Sequence, residues 1–128
     1  MKRFMVIAFI SVLLVSFINA QNVVVPDHNI QVWVGKHSYW AKAGKPVVYA
    51  SSNKKMAISF YPTTKIQVWA GKHTYWAQVG QKVEFHQNGN VKSFVPTSNV
   101  QVFYRNGTYK WKNAGQRIEF DQNGYAIN

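Results

Sequence analysis

Large aromatic residues recur at matched positions of this sequence, each beside an amide or hydroxyl side chain. Trp33 and Trp40 stand with Gln31 and Ser38, Trp69 and Trp76 with Gln67 and Thr74, and Phe103 with Gln101. The chemistry such a set supports is recognition. An aromatic ring offers a flat apolar face to a ring-shaped ligand, while amides, hydroxyls and lysines such as Lys42 and Lys110 supply hydrogen bonds. The same rings would also fill a core beneath a second layer. Two uses stay open, ligand platform and packing.

Chemistry that breaks bonds has less support. The carboxylates beyond the first twenty residues are Asp27, Glu84, Glu119 and Asp121. Glu84 and Glu119 are repeat equivalents beside Lys82 and Arg117, which reads as cross-strand structural charge; glycoside hydrolysis needs two carboxyls held across one cleft. There is no Gly-x-Ser-x-Gly, no phosphate loop and no His-Glu-x-x-His. The chain has no Cys, which removes thiol nucleophiles, Cys-ligated zinc and redox pairs. His37 and His73 are equivalent turn-flanking residues, and a metal site needs further ligands; His28 and His86 have no counterparts in the other copies. No catalytic residue, metal site or cofactor is expected.

The elements that position the aromatics come from internal repetition. IQVWVGKHSYWAKAG begins at Ile30, IQVWAGKHTYWAQVG at Ile66 and VQVFYRNGTYKWKNAG at Val100, at spacings of 36 and 34 residues. Pro26, Pro62 and Pro96 each end a β-branched or aromatic run a few residues earlier. Pro is tolerated at strand ends but not inside a sheet, so these residues mark boundaries. A unit this short cannot bury its own apolar face and must stack on its neighbours.

Within a copy the period is two. Ile30, Val32 and Val34 alternate with Gln31 and Trp33, and Ile66, Val68 and Ala70 with Gln67 and Trp69. A two-residue turn at Gly35-Lys36 or Gly71-Lys72 fixes the hairpin pairing, so that Ala70 faces His73 and Gln67 faces Trp76. One face is then apolar, and the other carries Gln, Trp and hydroxyls. With a turn at Asn106-Gly107, the third copy puts Val100, Val102, Tyr104, Tyr109 and Trp111 on the apolar face and Gln101, Phe103, Lys110 and Lys112 opposite. A second hairpin follows in each copy, turning at Asn88-Gly89 and Asn123-Gly124, with Asn53 in the glycine's place in the first. Val47, Tyr49, Met56, Ile58 and Phe60 share a face there, as do Val83, Phe85 and Phe94, and Ile118, Phe120 and Ile127.

The fold class expected is all-β. Three tandem repeats of about 35 residues (27–62, 63–96 and 97–128), each two antiparallel hairpins, form an open twisted sheet. The alternative is a closed three-fold barrel or trefoil-like array, in which Val23–Pro26 completes the third repeat across the termini and removes exposed edges.

Two bulk features bound the setting. Lys2 and Arg3, an apolar run from Met5 to Phe17, and Ala20 before Gln21 form a secretory signal-peptide pattern over 1–20, leaving a single domain over 21–128 and no transmembrane segment after cleavage. The expected location is secreted, periplasmic or cell-surface. Fifteen Lys plus Arg oppose four Asp plus Glu; without Lys2 and Arg3 the balance is 13 − 4, or +9. Such a field favours polyanions and anionic surfaces as partners.

The elements Gly80–Gly89 and Gly115–Gly124, reading G-x-x-[VI]-E-F-x-x-N-G, resemble the hairpin repeats of MORN-like proteins, including the YwqK-type bacterial set. The glycine-tyrosine signature of standard MORN repeats is missing. The resemblance implies an extended antiparallel sheet and an association or scaffolding role, and it transfers no catalytic residue.

The function expected is that of an exported non-catalytic protein binding an envelope or extracellular polymer. Glycan leads, because sugar rings present CH faces to Trp and hydroxyls to Gln. The ligand set is Trp33, Trp40, Trp69, Trp76, Phe103, Gln31, Gln67, Gln101 and Lys110. The rivals are a scaffold whose sheet self-associates or docks a partner protein, and electrostatic adhesion to an anionic polymer or surface. No specific nucleic-acid partner is expected.

Overall fold

The computed structural model describes residues 22–128; the signal peptide expected at 1–20 lies outside the described residues. Among the described residues, twelve short strands form four antiparallel sheets. In chain order they are β1 (Val23–Val24), β2 (Ile30–Val34), β3 (His37–Ala41), β4 (Val47–Tyr49), β5 (Ala57–Phe60) and β6 (Ile66–Ala70). They continue as β7 (His73–Ala77), β8 (Val83–Phe85), β9 (Val91–Phe94), β10 (Val100–Phe103), β11 (Tyr109–Lys112) and β12 (Ile118–Glu119).

One sheet has six strands, in the order β12-β9-β8-β5-β4-β1. The others are the separate hairpins β2-β3, β6-β7 and β10-β11. These three outer hairpins lie on one face of the six-stranded sheet, and the core is the layer between them. Val32, Val34, Val68, Ala70 and Val102 from the hairpins and Val47, Phe60, Val83, Phe85, Phe94, Ile118 and Phe120 from the sheet region are buried in it. Period-2 alternation therefore decides which residues enter the core.

Two tyrosines tie the layers together. Tyr39 on β3 packs on Phe60 and Phe85, with centroids 5.6 and 6.0 Å away. Tyr75 on β7 packs in the same way on Phe94 and Phe120, both at 5.6 Å. Each hydroxyl then crosses to the next outer hairpin: Tyr39 donates to the Gln67 carbonyl at 2.9 Å and Tyr75 to the Gln101 carbonyl at 2.8 Å. The position opposite Val102, where β10-β11 would carry the matching tyrosine, holds Lys110. Among the described residues no further hairpin follows for it to reach.

The proline-ended runs join the same layers from the other side. Beyond β5, Tyr61 accepts from the Lys42 N–H and Thr63 donates to the Trp40 carbonyl. Beyond β9, Val95 accepts from Gln78 and Thr97 donates to the Trp76 carbonyl. Pro62 and Pro96 sit between these bonds, where a missing N–H costs no ladder contact, and both are fully buried.

The sheets do not close into a barrel. β1 does not cross to the third copy; it pairs with β4, Val24 opposite Val47, and forms one edge, with β12 near the other. The β12 edge is covered by the tail. Ile127 donates to the Glu119 carbonyl, and the Asn128 carboxamide accepts from the Glu119 N–H and donates to the Arg117 carbonyl. A side chain thus occupies backbone groups that would otherwise template another strand.

The structure differs from the sequence expectation at several places. The β10-β11 connection is not two residues but three, Arg105-Asn106-Gly107, with Gly107 at φ +90 and Tyr104 N–H bonded to the Thr108 carbonyl. The extra residue turns every later side chain of β11 over. Trp111 pairs with Gln101 and Tyr109 with Phe103, while Lys110 pairs with Val102. Bulges in β5 and β9 put Ala57 and Val91 in the core and leave Ile58 and Lys92 outside it. At the end of the chain Ala126 is buried and Ile127 is exposed. In the first copy's longer turn it is Lys54, not Asn53, that takes positive φ.

Candidate aromatic-polar binding face

The outward face of the three hairpins carries the polar-aromatic set. Cross-strand pairing places Gln31 opposite Trp40, Gln67 opposite Trp76 and Gln101 opposite Trp111. Directly opposed side chains on one face are within contact range, so each hairpin presents one Trp with one carboxamide beside it. The three indoles are exposed at 54%, 46% and 66%, far more than core aromatics. A buried ring would release its apolar area from water; these rings leave about half of theirs in it.

Trp69 and Phe103 have a different position from the exposed row. His37 stacks on Trp69, with centroids 4.1 Å apart and planes at 11°, and His73 stacks on Phe103 at 4.2 Å and 12°. In each pair the imidazole comes from one hairpin and the aromatic from the next. These contacts fasten neighbouring hairpins on the outer face, as the tyrosines fasten them underneath. Trp33 occupies the same sequence position in the first hairpin; it has no preceding hairpin among the described residues and is 50% exposed. Of the nine residues expected at the site, eight share this face: Gln31, Trp33, Trp40, Gln67, Trp69, Trp76, Gln101 and Phe103. Lys110 does not, because of the longer turn, and its ammonium lies over the Tyr104 ring at 5.9 Å. Trp111 takes the place assigned to it. The signal was present in the sequence, since Arg105-Asn106-Gly107 is a three-residue loop with Gly at its third position.

A shallow groove of about 320 Å³ runs between the first two hairpins, lined by Lys36, His37, Ser38, Lys65, Gln67, Trp69 and Trp76 among others. The Lys65 ammonium lies 5.1 Å from the Trp76 ring centroid. A smaller groove of about 250 Å³ between the second and third hairpins is lined by Lys72, His73, Phe103 and Tyr125, and the turn Asn123-Gly124 closes its end. Both combine aromatic edges, ring nitrogens and ammonium groups, and neither is lined by a carboxylate.

The carboxylates gather elsewhere. Glu84, Glu119 and Asp121 line a groove of about 280 Å³ with His86 and Lys92 on the opposite face of the six-stranded sheet. Two of them are engaged in structure: Lys82 pairs with Glu84 at 3.7 Å and Arg105 with Asp121 at 2.8 Å. Arg117 donates to the Ser93 hydroxyl and the Lys82 carbonyl, not to Glu119. His86 donates from Nε2 to the Phe120 carbonyl at 2.9 Å. Asp121 caps its own turn, accepting from the Asn123 and Tyr125 N–H groups. Burial pushes its carboxyl up, but the Tyr125 N–H, the Arg105 guanidinium and the Asn123 N–H together hold it below the usual range. Among the described residues no group of three or more His, Asp or Glu is arranged to hold a metal ion. No helix there is long and apolar enough to cross a membrane.

No family model, curated protein or solved structure matches this chain.

Proposed function

We propose that this protein is an exported, non-catalytic binder of an envelope or extracellular polymer, glycan above all, through the outward face of its hairpins. The observation that carries the reading is the threefold recurrence of an exposed Trp opposite a Gln: Trp40 with Gln31, Trp76 with Gln67 and Trp111 with Gln101. A single exposed apolar residue is ordinary, but a set of exposed aromatics recurring on one face marks an interaction surface. Here they share a face with amides and hydroxyls, the combination that takes a sugar ring by its CH face and its hydroxyls together. The tyrosine and histidine ties between hairpins support it further, because they pre-organise the row before any ligand arrives. Export rests on the signal-peptide pattern at 1–20, and a scaffolding role of the MORN-like kind fits the same rigid array.

The test is binding of the chain to a panel of purified cell-wall and capsular polysaccharides, compared with Trp76→Ala and Trp111→Ala variants that melt at the parent's temperature. Loss of retention in both variants supports the reading. Retention equal to the parent's in both removes the indoles from the site. Binding abolished by moderate salt and unaffected by either substitution points to simple charge adhesion instead.

A further inference from the structure

We infer that the polymer is a single β-1,4-linked hexopyranose chain, lying along the Trp40, Trp76 and Trp111 row with one disaccharide per hairpin. This rests on the polymer-binding reading and narrows it. The period comes from the packing. Tyr39 sits over Phe60 and Phe85, at β5 and β8, and Tyr75 over Phe94 and Phe120, at β9 and beside β12. One step along the outer hairpins is therefore two strands of the sheet below, or about 10 Å. The His37–Trp69 and His73–Phe103 stacks hold the outward face to that same step.

An extended β-1,4-linked chain turns each sugar over relative to the last, so it presents the same pyranose face every second residue, over very nearly this distance. An α-1,4-linked chain coils, and a β-1,3-linked chain winds into a wide helix; neither repeats a flat face in line at this interval. Twist adds a further selection. Two strands of right-handed twist rotate each hairpin roughly 40–50° from the last, so a flat crystalline surface meets one indole at a time while a free chain can follow all three. The ammonium of Lys65 beside Trp76 and that of Lys36 in the adjoining groove leave room for an acidic substituent on the sugars. N-acetylglucosamine oligomers, glucose oligomers and lactyl-substituted wall strands share the required backbone, and the arms of the experiment separate them.

The experiment is calorimetric titration of the full chain with β-1,4-linked dimers, tetramers, hexamers and octamers of each sugar, beside α-1,4-linked and β-1,3-linked hexamers. The expected result is an affinity that rises with each added disaccharide, roughly threefold to tenfold per indole engaged, and stops rising at the hexamer. Trp76→Ala, in the middle of the row, then flattens the length dependence, and the better of the sugar series names the substituent. Affinity flat beyond the dimer, or equal for the other linkages, overturns the one-disaccharide period while polymer binding survives. Binding of other envelope polymers with none of the β-1,4 oligomers bound overturns the linkage in the same way. No binding to any polymer overturns both readings.

Discussion

The imidazole of His37 lies flat on the indole of Trp69, centroids 4.1 Å apart and planes 11° from parallel, although the two residues belong to different hairpins. His73 repeats the contact on Phe103. A stacked pair of this kind contributes about 0.5–1.5 kcal/mol beyond its buried area. His37→Ala should therefore lower the melting temperature by a few degrees, as about 1 kcal/mol does in a domain this size. His28→Ala, whose ring only meets the exposed Asp27, should not. Differential scanning calorimetry reads both; equal effects would mean the stack adds nothing.

Tyr39 and Tyr75 provide a second check on how the hairpins are joined. Burial pushes both phenols up to about 12 from an ordinary 10.0. Because the folded values are raised, their contribution to stability is intact below pH 10 and is lost as pH rises from there through about 12. Ultraviolet titration should find Tyr39 and Tyr75 among the late-ionising phenols, beside Tyr49, which burial also pushes up, together with alkaline unfolding. Tyr39→Phe and Tyr75→Phe should each remove one late phenol and, at neutral pH, cost about 1 kcal/mol for the lost hydrogen bond to the Gln67 or Gln101 carbonyl.

Much of this architecture is legible in the sequence because its signals are local. Pro62 and Pro96 mark boundaries through a missing N–H. The two-residue turns at Gly35-Lys36 and Gly71-Lys72 fix register, so residue spacing alone pairs Gln31 with Trp40 and Gln67 with Trp76. The third hairpin departs from that pattern because one residue in a turn inverts everything after it, exchanging Lys110 for Trp111. Ile58 reads as an inward residue because a bulge breaks alternation without changing composition. Contact between hairpins leaves no local signal at all. The Tyr39 hydroxyl and the His37 ring find partners 28 and 32 residues away, and no local period encodes how one hairpin lies on another. The same gap hides the destination of β1, whose Val-rich run suits any open edge.

Gly71 and Gly124 mark the closest approach of two turns. A side-chain carbon at Gly71 would meet the Asn123 carbonyl oxygen at 2.9 Å, and one at Gly124 would meet the Gly71 backbone nitrogen. Gly89 has the same φ of +94 with open space around it. Gly89→Ala should cost about 1–2 kcal/mol for the left-handed backbone alone. Gly124→Ala should cost that and about 1–3 kcal/mol more for the overlap. Urea denaturation of the two variants separates these effects, and equal midpoints would show that the turns yield without cost.

Asp121 fixes the last turn through two N–H groups and Arg105. Its folded value is depressed, so the stability it contributes is present above the ordinary carboxylate range and is lost as pH falls through the folded value. Asp121→Asn keeps an acceptor for the turn but cannot titrate. Its stability should fall less steeply than the parent's below pH about 4. Parallel acid denaturation curves for the two proteins would assign that pH dependence elsewhere.

The exposure of the indole row is the central claim, and quenching of tryptophan fluorescence tests it most directly. The free protein should emit at long wavelength and be quenched readily by a soluble neutral quencher, with most of the accessible signal lost in the Trp40, Trp76 and Trp111 alanine variants. Saturating polymer should shift the emission to the blue and protect those indoles from the quencher. Quenching unchanged by every envelope polymer tried, in a protein that remains folded, would contradict the account.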